Sequence, residues 1–156
     1  MNVRTATPAD MPAVLNLIQE LATFEKEPEA VILTAEDLIR DGFGSQPLFR
    51  VWVAEHENEI IGMALFYYRY STWKGKTIHL EDLIVTEKAR GTGAGLALYK
   101  KVIAIAKEEG IKRVEWVVLN WNTPAIEFYK KSGATVLEDW YTVQMSEQGI
   151  HAFITN

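Results

Sequence analysis

Cysteine is absent from this chain. Its absence removes a disulfide framework, a thiolate metal site and a cysteine nucleophile from the possibilities. Histidine is scarce. His56, His79 and His151 are scattered with no ligand spacing, so no metal is expected. No apolar run reaches bilayer-spanning length, and the opening MNVRTATPADMPAV holds no apolar core of signal-peptide length. The expectation is a soluble cytoplasmic protein with no membrane partner. Positive charge is also in deficit: 16 Lys and Arg against 21 Asp and Glu leave a formal net charge of −5. No basic face is evident, so nucleic acid is not an expected partner. The acidic balance suits a cationic small substrate, and a solvated surface explains it equally well. Repeats, low-complexity segments and interdomain linkers are missing too. What remains is a 156-residue chain with 48% hydrophobic residues, enough to bury a core as a single domain over residues 1–156.

The most informative stretch runs from Leu80 to Glu109. Leu83, Ile84 and Val85 form a short apolar run consistent with a buried strand, broken by polar residues from Thr86. Arg90-Gly91-Thr92-Gly93-Ala94-Gly95 follows. Leu96, Tyr99, Ile103 and Ala106 then recur at helical spacing with lysines between them. Glycines at alternate positions let backbone N–H groups approach an anion without Cβ obstruction, and the helix behind them adds its positive end. Arg90 adds a full charge. The ligand this points to is a phosphate or pyrophosphate; a glycine-rich turn with no ligand is the bland alternative. The spacing is not that of a P-loop. It also fails the dinucleotide fingerprint, because Leu96 stands where the third glycine belongs.

Taken in order, the spacing predicts a strand at Val3–Ala6, then a helix that opens at Thr7-Pro8 and continues to about Phe24. Thr34 with Asp37 resembles a capping box for a second helix, ending at Asp41-Gly42. Phe49–Glu55 and Ile60–Tyr68 read as a hairpin around Asn58-Glu59, Tyr70–Lys76 as a loop, and Thr77–Val85 as the next strand. After the glycine turn and its helix comes strong strand sequence at Lys112–Leu119. Asn122-Thr123-Pro124 starts a short helix, stopped by Ser132-Gly133. Two closing strands are expected at about Thr135–Met145 and Ile150–Ile154, across Glu147-Gln148-Gly149. The class is mixed α/β, α+β-like in character, with a central, mostly antiparallel sheet and helices on both faces.

Arg-Gly-x-Gly-x-Gly leading into an amphipathic helix resembles the pyrophosphate loop of the GNAT N-acetyltransferases, and the element order matches their fold over essentially the whole chain. The resemblance implies acetyl-CoA as co-substrate, with Leu83, Ile84 and Val85 along the pantetheine and Arg90, Gly91, Thr92, Gly93, Ala94, Gly95 and Leu96 around the diphosphate. It also implies a bulge in the strand carrying Leu83–Val85 that frees backbone groups for the thioester. Asn122-Thr123-Pro124-Ala125-Ile126-Glu127-Phe128-Tyr129 is similar to the family's Asn-x-x-Ala-x-x-x-Tyr segment. Asn122, Pro124, Ala125 and Phe128 are thereby expected at the coenzyme, and Tyr129 as the acid that protonates the leaving thiolate. A phenol is protonated at neutral pH and can donate. Phe128 also reads as a core aromatic.

Deprotonating the amine falls, by the same resemblance, to Glu81. Alternation of a strand sends Glu81 and Asp82 to opposite faces, one toward the acceptor. A carboxylate is a poor direct base for an ammonium, so a water relay or a raised pKa is needed. Glu81 also reads as an ordinary strand acid, and His79 is the competing base.

Phe24-Glu25, Val31-Ile32-Leu33-Thr34, Asp37-Leu38, Asp41-Gly42-Phe43-Gly44, Pro47, Tyr67-Tyr68, Trp73-x-Gly75-Lys76 and Leu80-Glu81-Asp82 resemble the spermidine/spermine (diamine and thialysine) branch. This implies acceptor contacts from Phe24, Glu25, Trp73, Glu81 and Asp82, with Trp73 supplying a cation–π surface or only anchoring its loop. Ser71 stands where the polyamine enzymes carry an acid. A diamine, a polyamine or a lysine analogue therefore remains open as the small cationic amine. A homodimer is implied. Acetylation of a protein N-terminus or lysine, and a non-catalytic acyl-CoA sensor, are the competing functions.

Overall fold

The computed structural model describes residues 1–155. They form two units, Met1–Val117 and the chain from Val118 onward.

The first unit is built on a five-stranded sheet in the order β1-β2-β3-β4-β5. The strands are β1 (Asn2–Thr5), β2 (Arg50–His56), β3 (Glu59–Ser71), β4 (Gly75–Val85) and the two-residue β5 (Val114–Glu115). β1 to β4 pair antiparallel, and β5 joins β4 in parallel. Between β1 and β2 lie α1 (Met11–Phe24) and α2 (Ala35–Phe43); α3 (Ala94–Glu108) follows β4. Thr34 caps α2 as its sequence suggests: its Oγ accepts from the Asp37 N–H at 3.2 Å, and the Asp37 carboxylate accepts from the Thr34 N–H at 2.9 Å. Such a box is worth about 1 kcal/mol.

Alternation along β2 assigns the helices to opposite faces. Val51 and Val53 pack with Met11, Val14 and Leu17 of α1, together with Met63, Leu65 and Ile84. Trp52, between them, lies under the Lys101 ammonium of α3 at 5.1 Å. Gly62 lets α3 close on its face, since a Cβ there would come within 3.2 Å of Leu98 and 2.8 Å of the Ile84 carbonyl oxygen. The mixed α/β class with helices on both faces is observed.

Several boundaries move. The β2–β3 hairpin turns on Glu57 and Asn58, both with positive φ, so Glu59 begins β3 rather than ending the turn. The expected loop at Tyr70–Lys76 shrinks to three residues, because β3 runs to Ser71, β4 starts at Gly75, and the Ser71 hydroxyl accepts the N–H groups of Trp73 and Lys74. The strand expected over Lys112–Leu119 pairs only at Val114 and Glu115, opposite Ile78 and His79. Two residues further along β4 a bulge begins; it bends the strand, and the ladder ends there.

The second unit departs most from expectation. α4 (Thr123–Lys131) forms where Asn122 and Pro124 predict it. The two closing strands do not form. Leu137, Trp140, Tyr141 and Val143 are exposed, with no ladder to join, and a strand without a partner is not stable. Ile150–Ile154 belongs to a helix, α5 (Glu147–Thr155). The Ser146 hydroxyl accepts the Gly149 N–H at 3.1 Å, and Glu147 lies in the first turn. Serine followed by an acid is a helix start, which outweighs reading Glu147-Gln148-Gly149 as a hairpin turn.

Candidate active site

The β4 bulge organises the site. β3 residues Leu65 and Phe66 are consecutive, yet their partners on β4 are Asp82 and Leu80, leaving Glu81 as the extra residue. The expected bulge is therefore on the expected strand, at its Glu81 end. It overturns the expectation that Glu81 and Asp82 face opposite sides. Asp82 lies across from Leu65, on the α1 side of the sheet. Glu81 reaches Tyr67 and His79, an opposed pair on that same side. Both carboxylates thus share one face with α1, whose C-terminal neighbour is Glu25.

Asp82 is partly buried and has no hydrogen-bond donor among the described residues. Burial first, then the charges of Glu81 and Glu25, push its carboxyl up to about 6. Burial also raises the Glu25 carboxyl, which likewise meets no donor among the described residues. A partly buried acid such as Asp82 without a cation is costly, and a bound ammonium relieves that cost; Glu25 is exposed beside it.

Glu81 is held differently. Its Oε2 accepts from the Tyr67 hydroxyl at 3.2 Å and lies 3.4 Å from His79 Nε2. The Tyr67 and His79 rings meet at 5.2 Å between centroids, with their planes tilted by 36°. Burial lowers the imidazole's proton affinity, and burial together with the Glu81 charge keeps the Tyr67 phenol protonated.

Leu83, Ile84 and Val85 carry β4 on to the glycine turn. Gly91 and Gly93 both adopt left-handed backbone, at φ 78° and 85°, and Gly93 stands at the N-cap of α3. The first bond of α3 runs from the Ala97 N–H to Gly93, so the N–H groups of Ala94, Gly95 and Leu96 have no acceptor within the helix. Thr92 donates its hydroxyl to the Ala89 carbonyl at 2.7 Å, which fixes the turn from within. A Cβ on Gly91 or Gly93 would meet no protein atom within 4 Å. The turn is therefore open outward, with N–H groups behind it that have no acceptor among the described residues and the exposed Arg90 beside it. These residues fit the diphosphate of a coenzyme.

The Arg90 guanidinium lies 5.5 Å over the Phe24 ring. The two line an open groove of about 620 Å³ with Asn16, Gln19, Glu20, Thr23 and Glu87. Glu20 also accepts the Glu87 N–H at 2.9 Å, which ties α1 to the start of the glycine turn. Phe24 thus links an expected coenzyme residue to Glu25. Trp73 does not join this cluster. It is exposed at the β3–β4 hairpin tip, six β3 residues from Leu65, or ~20 Å at strand rise.

In the second unit Asn122 caps α4, its side-chain oxygen accepting the Ala125 N–H at 3.4 Å. Pro124 occupies the first turn. Phe128 and Tyr129 meet edge to face at 5.4 Å, both partly buried. Sequence reasoning missed Arg69, whose guanidinium contacts His79; its signal depends on hairpin register rather than on spacing along the chain. Among the described residues no helix is long and apolar enough to cross a membrane.

A family model described as the acetyltransferase (GNAT) family matches residues 11–134. A thialysine N-epsilon-acetyltransferase from Bos taurus is 38% identical over 150 residues, covering 89% of this chain and 88% of that protein. One from Caenorhabditis elegans is 38% identical over 152 residues, 96% of this chain and 94% of its own length. Among solved structures, an integron cassette protein from V. cholerae superposes with a TM-score of 0.81 at 21% identity, covering 99% of this chain and 98% of its own. That last likeness concerns the fold alone.

Proposed function

Because the chain belongs to the GNAT family of acetyltransferases, we propose that it moves the acetyl group of acetyl-CoA to a primary amine of a small cationic acceptor, by direct transfer in a ternary complex. It is an N-acetyltransferase; the acceptor class and the residue roles are the proposal. Its acceptor is a diamine, a polyamine or a lysine analogue. One observation carries this reading: the β4 bulge turns Glu81 and Asp82 to the side of the sheet where Glu25 stands, and Asp82 and Glu25 lack a cationic partner among the described residues. The thialysine acetyltransferase relatives support the same acceptor class.

The glycine turn binds the diphosphate through the N–H groups of Ala94, Gly95 and Leu96, with Arg90 adding charge. Leu83, Ile84 and Val85 line the pantetheine; the likeness to the family segment assigns Asn122, Pro124, Ala125 and Phe128 to the coenzyme as well. The acceptor enters as an ammonium, neutralising the acids. Glu81, through a water, takes one proton so that the nitrogen lone pair can attack the thioester carbon. A backbone N–H of the bulged strand holds the oxyanion. As the C–S bond breaks, Tyr129 gives its proton to sulfur, and the second nitrogen proton restores the phenol. The balance is one amide, one free thiol and one proton released to solvent.

The family match crosses from the first unit into the second, which supports one catalytic domain. The exposed Leu137, Trp140, Tyr141 and Val143 support a homodimer that covers them. Purified protein incubated with acetyl-CoA and diamines, polyamines, lysine analogues, aminoglycosides and peptides, with thiol release as readout, tests the proposal. Saturable turnover with small cationic amines is expected. Turnover confined to peptides overturns the acceptor class.

A further inference from the structure

We propose that Tyr67 and His79 are positioning residues that hold one oxygen of the Glu81 carboxylate and leave the other for the acceptor or its bridging water. This rests on Glu81 as the group that receives the amine proton.

A bulge residue has no ladder partner to steady it, and the Glu81 side chain is half exposed. Left alone, a glutamate samples many rotamers, and fixing it costs conformational entropy. Two side chains limit that freedom here, one by a hydrogen bond and one by a close polar contact, and both converge on Oε2. The Tyr67 hydroxyl donates at 3.2 Å. His79 Nε2 lies at 3.4 Å, and its proton is assigned by the other ring nitrogen. His79 Nδ1 sits 3.2 Å from Arg69 Nη1. A guanidinium has no acceptor, so Nδ1 must accept and Nε2 must carry the hydrogen. Arg69 is itself anchored to Glu115 at 2.9 Å. With its side chain 12% exposed and its ring against that of Tyr67, the imidazole has little room to flip. The order Glu115–Arg69–His79–Glu81 thus sets the tautomer from the third strand to the fifth.

The ionisable groups facing His79 are Tyr67 and Arg69 from β3, Glu81 from β4 and Glu115 from β5. Burial favours the neutral ring over the two carboxylates' pull, in the state that donates from Nε2 alone. Protonation would put a hydrogen on Nδ1 facing Arg69, breaking that contact and releasing the ring.

Steady-state kinetics at saturating acetyl-CoA test this on Tyr67→Phe, His79→Leu, His79→Gln and Glu81→Gln, with ¹⁵N NMR of His79 in the parent. Tyr67→Phe keeps the ring contact and serves if His79→Leu fails to fold. We expect Tyr67→Phe and His79→Leu each to lower amine kcat/KM about tenfold, with coenzyme affinity retained. Gln, whose amide N–H reaches where Nε2 does, should recover most of the loss at His79. NMR should show hydrogen on Nε2. Parental kinetics in Tyr67→Phe and His79→Leu beside an impaired Glu81→Gln overturn the positioning role alone. Parental kinetics in Glu81→Gln remove the carboxylate's role, and the proposal with it. Hydrogen on Nδ1 also refutes it.

Discussion

Leu80 and Asp82 stand two positions apart on one strand yet face opposite sides of the sheet. Leu80 lies across from Phe66 and Asp82 across from Leu65, and the single residue between them absorbs the change of face. An unbroken strand would put Asp82 on the α3 side, away from Glu25 and α1. The acidic cluster is therefore a product of backbone geometry as much as of composition.

Asp82 is expected to trade stability for acceptor binding. Its folded carboxyl titrates at about 6 against an unfolded value of 3.8. A raised carboxyl stabilises the fold fully only below its unfolded pKa, and that contribution is lost as pH rises through the folded pKa. At pH 7 the ionised group costs on the order of 2–3 kcal/mol. Asp82→Asn should therefore be more stable than the parent at pH 7, with the difference shrinking by pH 4, and should bind the amine more weakly. Denaturant melts at both pH values and the amine KM check this; equal stability at pH 7 would remove the buried, uncompensated charge.

Gly91→Ala and Gly93→Ala separate backbone strain from ligand contact. Each places a Cβ on left-handed backbone, costing about 1 kcal/mol and lowering Tm by roughly 2–4 °C. Neither Cβ meets protein within 4 Å, so each projects into open space, where the proposed diphosphate would lie. Calorimetric titration should show coenzyme affinity falling about tenfold or more, beyond what the melting shift explains. Unchanged affinity would take the coenzyme away from this turn.

Tyr129→Phe should reduce kcat by about two orders of magnitude while coenzyme Kd holds. Rapid-quench measurement of the acyl-transfer step distinguishes this from slowed product release. A parental kcat would assign thiolate protonation elsewhere.

Acid sensitivity of the fold should reside at the first strand. Arg4 donates to Asp10 at 2.8 Å and to Glu55 at 2.7 Å. The Arg4 hydrogen bond, with further donors from Thr7, holds the Asp10 carboxyl at about 2, below its unfolded 3.8. A depressed carboxyl stabilises above the unfolded pKa and loses that contribution as pH falls toward the folded one. Asp10→Asn should cost on the order of 2 kcal/mol at pH 7, and the gap should close between about pH 4 and 2.

What could be read from sequence follows from where each signal resides. The Thr34–Asp37 cap and the left-handed glycines at Gly91 and Gly93 are local: a few adjacent residues determine each backbone conformation. The bulge is not local. Nothing in Leu80-Glu81-Asp82 says which residue goes unpaired; that depends on Leu65 and Phe66 across the ladder. The contact of Arg69 with His79 needs the same register. The C-terminal strands fail for a related reason. Val136, Tyr141 and Val143 carry strand propensity, which acts only where a partner edge completes the ladder. Ser146, just ahead of the expected Glu147-Gln148-Gly149 turn, acts as a helix cap.

The most direct measurement is thiol release from acetyl-CoA with a lysine analogue or short diamine as acceptor, compared across the parent, Asp82→Asn and Glu25→Gln. If the acids on the α1 face receive the ammonium, the parent turns over saturably, and each variant raises the amine KM severalfold or more while acetyl-CoA KM stays put. Coenzyme binding without turnover on any amine, or three identical amine KM values, would contradict it.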